Sequence, residues 1–104
     1  MFLACYVRLD YTRSAPAGER LRLVTAGDGA SPVHLCGPTV ESLADAEELA
    51  RATVRSHGDT VRGQILPRVF RYQPGDSLLD VGDRAEQWFL DKLAEMNEAD
   101  LASG

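Results

Sequence analysis

Two cysteines and two histidines are the side chains of this 104-residue sequence with the strongest potential for metal chemistry. Cys5, His34, Cys36 and His57 together carry the ligand atoms of a tetrahedral zinc site. His34 and Cys36 stand two residues apart, but no Cys-x-x-Cys or His-x-x-x-His pair supplies two ligands locally. The spacing therefore favours separate roles for the four residues, and we predict no metal site and no cofactor.

The strand pattern also separates these residues in space. Residues 2–12 alternate apolar and polar side chains, which is typical of a strand with one buried face, and Cys5 is on the apolar side. In the segment VHLC, His34 and Cys36 alternate with a valine and a leucine, so they face away from the core if those two face it. His57 falls on the apolar stripe of a helix. We expect Cys5 and His57 to face the core, and His34 and Cys36 to lie on the opposite face of the sheet.

Apolar periodicity and turn residues predict six elements in the order β-β-β-α-β-α. The predicted ranges are strands at 2–12, 20–26, 33–36 and 60–72 and helices at 40–57 and 83–97. This order indicates an α+β fold class, in which an antiparallel sheet of about four strands carries two helices on one face. We expect a single domain over residues 1–97 and a frayed tail over residues 98–104.

Glycine and proline predict where these elements end or change. GDGASP at residues 27–32 is a strong turn signal, and Gly58 is placed to terminate the first helix. Pro67 has no N–H to give to a ladder, so the last strand should lie at a sheet edge, contain a bulge or be broken. SLLDV at residues 77–81 is predicted to be a brief strand or an apolar linker.

The net charge of −5 is concentrated near the C-terminus, because residues 76–104 hold eight of the sixteen acids and two of the eleven bases. This balance disfavours nonspecific nucleic-acid binding, which requires neutralisation of phosphates by Lys and Arg. It could instead serve a basic protein partner. The candidate contact residues on this acidic helix are Asp83, Glu86, Asp91 and Glu95.

The polar face of the predicted sheet is a second candidate surface. By alternation it collects Tyr6, Arg8, Arg20, Arg22, His34, Cys36, Arg62 and Arg68. A solvated polar face is normal for a one-sided antiparallel sheet. The functional interpretation is a docking surface for an acidic partner, since arginine is favoured at interfaces. Only one aromatic residue is present, whereas RNA binding on a sheet uses two or three, so nucleic acid is not the expected partner.

One short motif bears on catalysis. GDSL at residues 75–78 resembles the nucleophile block of the GDSL esterases, with Ser77 in the nucleophile's place. The resemblance covers four residues and implies a catalytic histidine downstream. No histidine follows Ser77, and a serine without a base is an ordinary hydroxyl, so we predict no catalytic residue here.

Composition gives the expected setting of the protein. Two cysteines do not make the dense disulfide framework of small secreted domains, which favours reduced thiols in the cytoplasm. No apolar run approaches the length of a membrane span. Ten arginines against one lysine are typical of GC-rich bacterial genomes and their phages.

The leading hypothesis is a non-enzymatic protein of bacterial or phage origin, of adaptor, inhibitor, immunity or anti-defence type. It would bind a protein through the acidic helix or the arginine-rich sheet face. A second hypothesis is a small homo-oligomeric enzyme or ligand-binding subunit with a site between protomers around His34 and Cys36, and a homodimer would also cover an exposed edge strand. A third is a structural or assembly component.

Overall fold

The computed structural model of the chain describes residues 1–25, 31–57 and 64–103. It confirms the α+β class and the predicted element order. The strands are β1 (Phe2–Tyr11), β2 (Leu21–Leu23), β3 (His34–Leu35) and β4 (Gln64–Arg71), and the helices are α1 (Leu43–His57) and α2 (Leu78–Ser103). The predicted turn at residues 27–32 falls mainly outside the described residues, and Gly58 falls outside them altogether.

Strand β1 is the centre of a four-stranded antiparallel sheet. Leu9 pairs with Leu23 of β2 and also with Gln64 of β4, so β2 and β4 lie on opposite edges of β1. Strand β3 pairs with Cys5 and Tyr6 on the same edge as β2. The sheet therefore has β4 along one side of β1, and β2 and β3 one after the other along the other side.

Pro67 lies within β4 without breaking it, because β4 is an edge strand. The Tyr72 N–H donates to the Met1 carbonyl at 3.0 Å, which makes that pair a hydrogen-bonded pair of the antiparallel ladder. Counted back from Tyr72, which follows β4, every second residue as far as Gln64 points its N–H and C=O groups at β1. Pro67 is one of the residues in between, whose main-chain groups point away from β1. An N–H at this position would point away from β1, so proline removes no ladder hydrogen bond.

The two helices pack on opposite faces of the sheet, which corrects the prediction of both on one face. Residues of β1 with odd numbers form one core with α2, and Ala4 forms a second, smaller core with α1. The buried members are Leu3, Cys5, Val7, Leu9, Tyr72, Val81, Ala85 and Phe89 in the first core and Ala4, Ala46 and Ala50 in the second. The first residues of β1 are Phe2, Leu3 and Ala4, so both faces of the strand are apolar there. The three alanines of the second core allow α1 to approach closely.

Helix α2 is longer at both ends than predicted. Ser77 caps it, with its Oγ accepting from the Leu79 N–H at 3.2 Å, so SLLDV opens a helix and is neither strand nor linker. At the other end, residues 98–103 continue the helix where a frayed tail was predicted. Asp100 accepts hydrogen bonds from the Arg20 guanidinium and the Gly18 N–H, both at 3.2 Å. These long-range contacts hold the last turn against the β1–β2 connection.

The apolar side of α2 is as predicted, since Ala85, Trp88, Phe89, Leu93 and Met96 all belong to the larger core. Neither described helix combines the length with the apolar character needed to cross a membrane.

Candidate functional site

A cleft of about 500 Å³ separates two parts of the chain. On one side are β3 and the residues that flank it, and on the other is the N-terminal half of α2. Its floor is formed by Leu3 and Cys5 of β1. We call it the β3–α2 cleft. Its walls are formed by Ser31, Val33, Leu35, Gly37, Pro38 and Thr39 on the sheet side and by Leu79, Gly82, Asp83 and Glu86 on the helix side. Its volume is within the range of clefts that receive ligands or partner side chains.

The β3–α2 cleft exists because α2 overlies β1 and leans on one edge of the sheet along only part of its length. In its C-terminal half, Asn97 contacts Leu21 of β2 and Asp100 contacts Arg20. In its N-terminal half the same flank of the helix faces β3 across open space. Gly82 has no side chain, and no atom of the described residues lies within 4 Å of the place a Cβ would occupy, which widens the cleft.

Two large apolar side chains of this cleft are exposed. Leu35 exposes 63% of its surface and Leu79 exposes 80%. Leu35 is in β3 and Leu79 is in the first turn of α2, so they stand on the two walls. Burying a leucine fully is worth about 1.5–3 kcal/mol, so a partner that covers both gains a useful part of its binding free energy.

The acidic helix divides into two pairs of the predicted contact residues. Asp83 and Glu86 line the cleft, and within the described residues neither forms an ion pair. Asp91 accepts a hydrogen bond from Gln87, and Glu95 pairs with Lys92. Asp91 and Glu95 lie outside the cleft, roughly 130° around the helix axis from the first pair at 100° per residue.

The predicted arginine-rich sheet face is only partly assembled. Tyr6, Arg8 and His34 lie on the sheet face against which α1 packs, which we call the α1 face. Arg22 pairs with Asp10 and belongs to the same face by alternation. Arg8 is half-buried, and its Nε is buried without a hydrogen-bond partner among the described groups.

The other predicted members of this face lie elsewhere. Arg20 turns towards α2 and pairs with Asp100. Arg68 pairs with Cys5 in register, so it points to the α2 face, where its guanidinium lies 4.4 Å from the Trp88 ring centroid. Arg62 falls outside the described residues. The continuous arginine surface predicted from alternation is therefore absent among the described residues.

The α1 face carries an aromatic stack that was not predicted. The Tyr6 ring is stacked on the His34 ring with centroids 5.1 Å apart, and the His57 ring lies 5.4 Å away at a tilt of 47°. His57 Nδ1 is 2.9 Å from the Thr53 carbonyl oxygen. His57 thus shares a face with His34, which corrects the prediction that it faces the same side as Cys5. The cause is that α1 packs on the opposite face from the one assumed.

The two thiols are held in their protonated form. Burial, and then the neighbouring Cys36 thiol, raise the pKa of Cys5 to about 12. Burial also raises the pKa of Cys36, and a hydrogen bond with Thr53 opposes that effect. A thiol acts as nucleophile or metal ligand through its thiolate, and the raised pKa values of both side chains disfavour that form.

Neither metal nor serine chemistry is assembled in the described part of the chain. No group of three or more His, Cys, Asp or Glu residues could hold a metal ion within residues 1–25, 31–57 and 64–103. Ser77, the serine of the GDSL block, is the cap of α2, and its hydrogen-bond partners among the described residues are main-chain groups.

The β3–α2 cleft was not predicted from the sequence. No local signal marks it, because Leu35, Leu79 and Gly82 occupy ordinary positions in their own elements. The cleft arises from the distance between those elements.

The chain matches no known family model, and no curated protein sequence or solved structure is significantly similar to it.

Proposed function

We propose that the protein is a non-enzymatic binding protein whose β3–α2 cleft receives a segment of a protein partner. The observation that carries this proposal is the combination of two exposed leucines, Leu35 and Leu79, with two carboxylates, Asp83 and Glu86, around one cleft. An apolar side chain of the partner enters the cleft, and neighbouring lysine or arginine residues pair with the carboxylates.

A protein partner suits this chemistry better than a nucleic acid. The carboxylates at the cleft would repel phosphates, and nucleic-acid binding depends on phosphate neutralisation. An interface of this kind gains affinity from the buried apolar centre and gains specificity and association rate from the charged rim. The acidic α2 contributes through its N-terminal half. The described arginine residues of the sheet do not form one continuous surface and have no part in this proposal.

A reducing compartment, the cytoplasm, is part of this proposal. Both cysteines are unpaired thiols. Cys5 lies on the floor of the cleft and is 1% exposed, which protects it from modification while the protein is folded.

The test uses two charge-reversal variants of equal net charge. Asp83→Lys with Glu86→Lys changes the cleft, and Asp91→Lys with Glu95→Lys changes the same helix outside it. Proteins captured from the native host by tagged wild type are identified by mass spectrometry, and the dissociation constant of each purified candidate is then measured with all three forms.

We expect the cleft variant to weaken binding at least about tenfold, because two charge-assisted contacts are replaced by repulsion. The control variant should bind within about threefold of wild type, since exposed charges away from an interface contribute little. Equal loss of binding in both variants would contradict a role for the cleft. Thermal midpoints of the three forms show whether any loss reflects unfolding.

A further inference from the structure

The outward edge of β2 is closed by a side chain of α2. The Thr12 N–H donates to the Arg20 carbonyl and the Val24 N–H donates to the Arg8 carbonyl, so in β2 the even-numbered residues face β1. Leu21 therefore points its N–H and C=O away from β1. Both groups bond to the carboxamide of Asn97 at 3.1 Å, which takes the place of a neighbouring strand.

Strand β3 has the same geometry, but no described side chain closes its outward edge. The Cys36 N–H donates to the Ala4 carbonyl at 2.9 Å, and His34 pairs with Tyr6, so these residues point their main-chain groups at β1. Leu35, between them, points its N–H and C=O outward. Within the described part of the chain, neither group of Leu35 has a hydrogen-bond partner.

The open edge and the β3–α2 cleft are one continuous surface. The Leu35 side chain lines the cleft, while its main-chain groups point along the plane of the sheet, away from β1. A strand laid beside β3 would direct every second side chain towards the flank of α2 that holds Leu79, Asp83 and Glu86.

We propose that the partner segment binds in an extended conformation and adds a strand to the β3 edge at Leu35. Its cleft-facing positions carry a central apolar residue flanked by arginine or lysine, which pair with Asp83 and Glu86. This inference rests on the proposed binding function and names its mode and its partner chemistry.

Two observations favour an extended partner over the other occupants. A helix laid in the cleft would leave the Leu35 N–H and C=O without partners, whereas a strand satisfies both. A second copy of this chain would approach with a net charge of −5, and its acidic α2 would face carboxylates of its own kind.

The test uses capped synthetic heptapeptides. Threonine stands at positions 1, 3, 5 and 7, arginine at positions 2 and 6, and an apolar residue at the central position 4. Four versions carry Leu, Ile, Val or Phe at the centre, and binding to the full chain is measured by isothermal titration calorimetry. We expect at least one to bind with a dissociation constant below about 1 mM. Asp83→Lys with Glu86→Lys should weaken that binding at least about tenfold, and Asp91→Lys with Glu95→Lys should leave it within about threefold.

The binding mode is tested by N-methylation of the best peptide. One derivative is methylated at the arginines and the apolar centre, and the other at the threonines. In an added strand, alternate N–H groups point to opposite edges, so one derivative should lose binding at least about tenfold and the other should retain it. The derivative that loses binding also gives the strand direction. In an antiparallel arrangement the N–H groups of the cleft-facing residues point at β3, and in a parallel arrangement those of the threonines do.

The outcomes separate this inference from the proposed function. If both methylated peptides bind like the parent while the cleft variant does not, strand addition is wrong and the cleft still binds. If no peptide binds, the proposed partner chemistry is wrong, whatever proteins the cleft captures from the host. If peptides bind equally to all charge variants, the cleft is not the site.

Discussion

Asn97 of α2 forms two hydrogen bonds with the main chain of Leu21 in β2, at 3.1 Å each. The residues are 76 positions apart in the sequence. One carboxamide thus provides both the acceptor and the donor that an adjacent strand would provide, and it joins the C-terminal half of α2 to the edge of the sheet. Strand β2 has only three residues, and this contact explains how so short a strand keeps its place.

Replacing Asn97 should destabilise the fold. Asn97→Ala leaves the Leu21 N–H and C=O without their partner, and we expect a loss of about 1–3 kcal/mol in the free energy of unfolding, measured by urea denaturation. Asn97→Asp keeps the acceptor and loses the donor, so its loss should be smaller. Unfolding of Asn97→Ala at the wild-type urea midpoint would show that the edge closure contributes nothing.

The pair of Arg20 and Asp100 should contribute modestly to stability. Its side chains are 28% and 23% exposed, so solvent screens them only in part. A double-mutant cycle with Arg20→Ala and Asp100→Asn should give a coupling energy of about 0.5–1 kcal/mol that falls at high salt. Asparagine keeps an acceptor for the Gly18 N–H, which separates the loss of charge from the loss of that bond. A coupling energy of zero would show that this ion pair contributes nothing to the attachment of α2.

Stability should fall at alkaline pH because of Cys5. Its pKa is about 12 in the folded protein against an ordinary 9.0, so only the unfolded state loses the proton between these values. The stabilisation is complete below pH 9 and is lost as the pH rises towards 12. From pH 8 to pH 10, wild type should lose about 1.4 kcal/mol more unfolding free energy than Cys5→Ala. Parallel pH profiles for the two proteins would contradict this assignment.

The stack of Tyr6 with His34 and His57 should depend on the ring of Tyr6 and not on its hydroxyl. Tyr6→Phe should unfold within about 0.5 kcal/mol of wild type, whereas Tyr6→Leu should cost about 1–3 kcal/mol through the loss of two ring contacts. Ring-current shifts on the imidazole protons of both histidines provide a direct readout by NMR. These protons should shift in Tyr6→Leu and not in Tyr6→Phe, and unchanged shifts in both variants would rule out the stack.

The separation of the predicted contact residues has a definite physical origin. Alternation places Tyr6, Arg8 and Arg22 on one face, and the structure agrees. It fails for Arg20, because that residue precedes β2 and its long side chain reaches Asp100 on the other face. Short-range patterns describe a strand only between its ends, so a residue one position beyond an end is free to turn.

The sequence by itself determined the α+β class, the order of the six elements, the buried face of β1 and the apolar stripe of α2. Each follows from local periodicity, which covalent geometry converts directly into faces of strands and helices. Only the tertiary structure decided that the helices cover opposite faces and that Asp83 and Glu86 border a cleft while Asp91 and Glu95 do not. It also decided that Asn97 closes β2, whereas no described residue closes β3 at Leu35. These features depend on distances between elements far apart in the chain, and such distances are set by how the whole set of side chains packs.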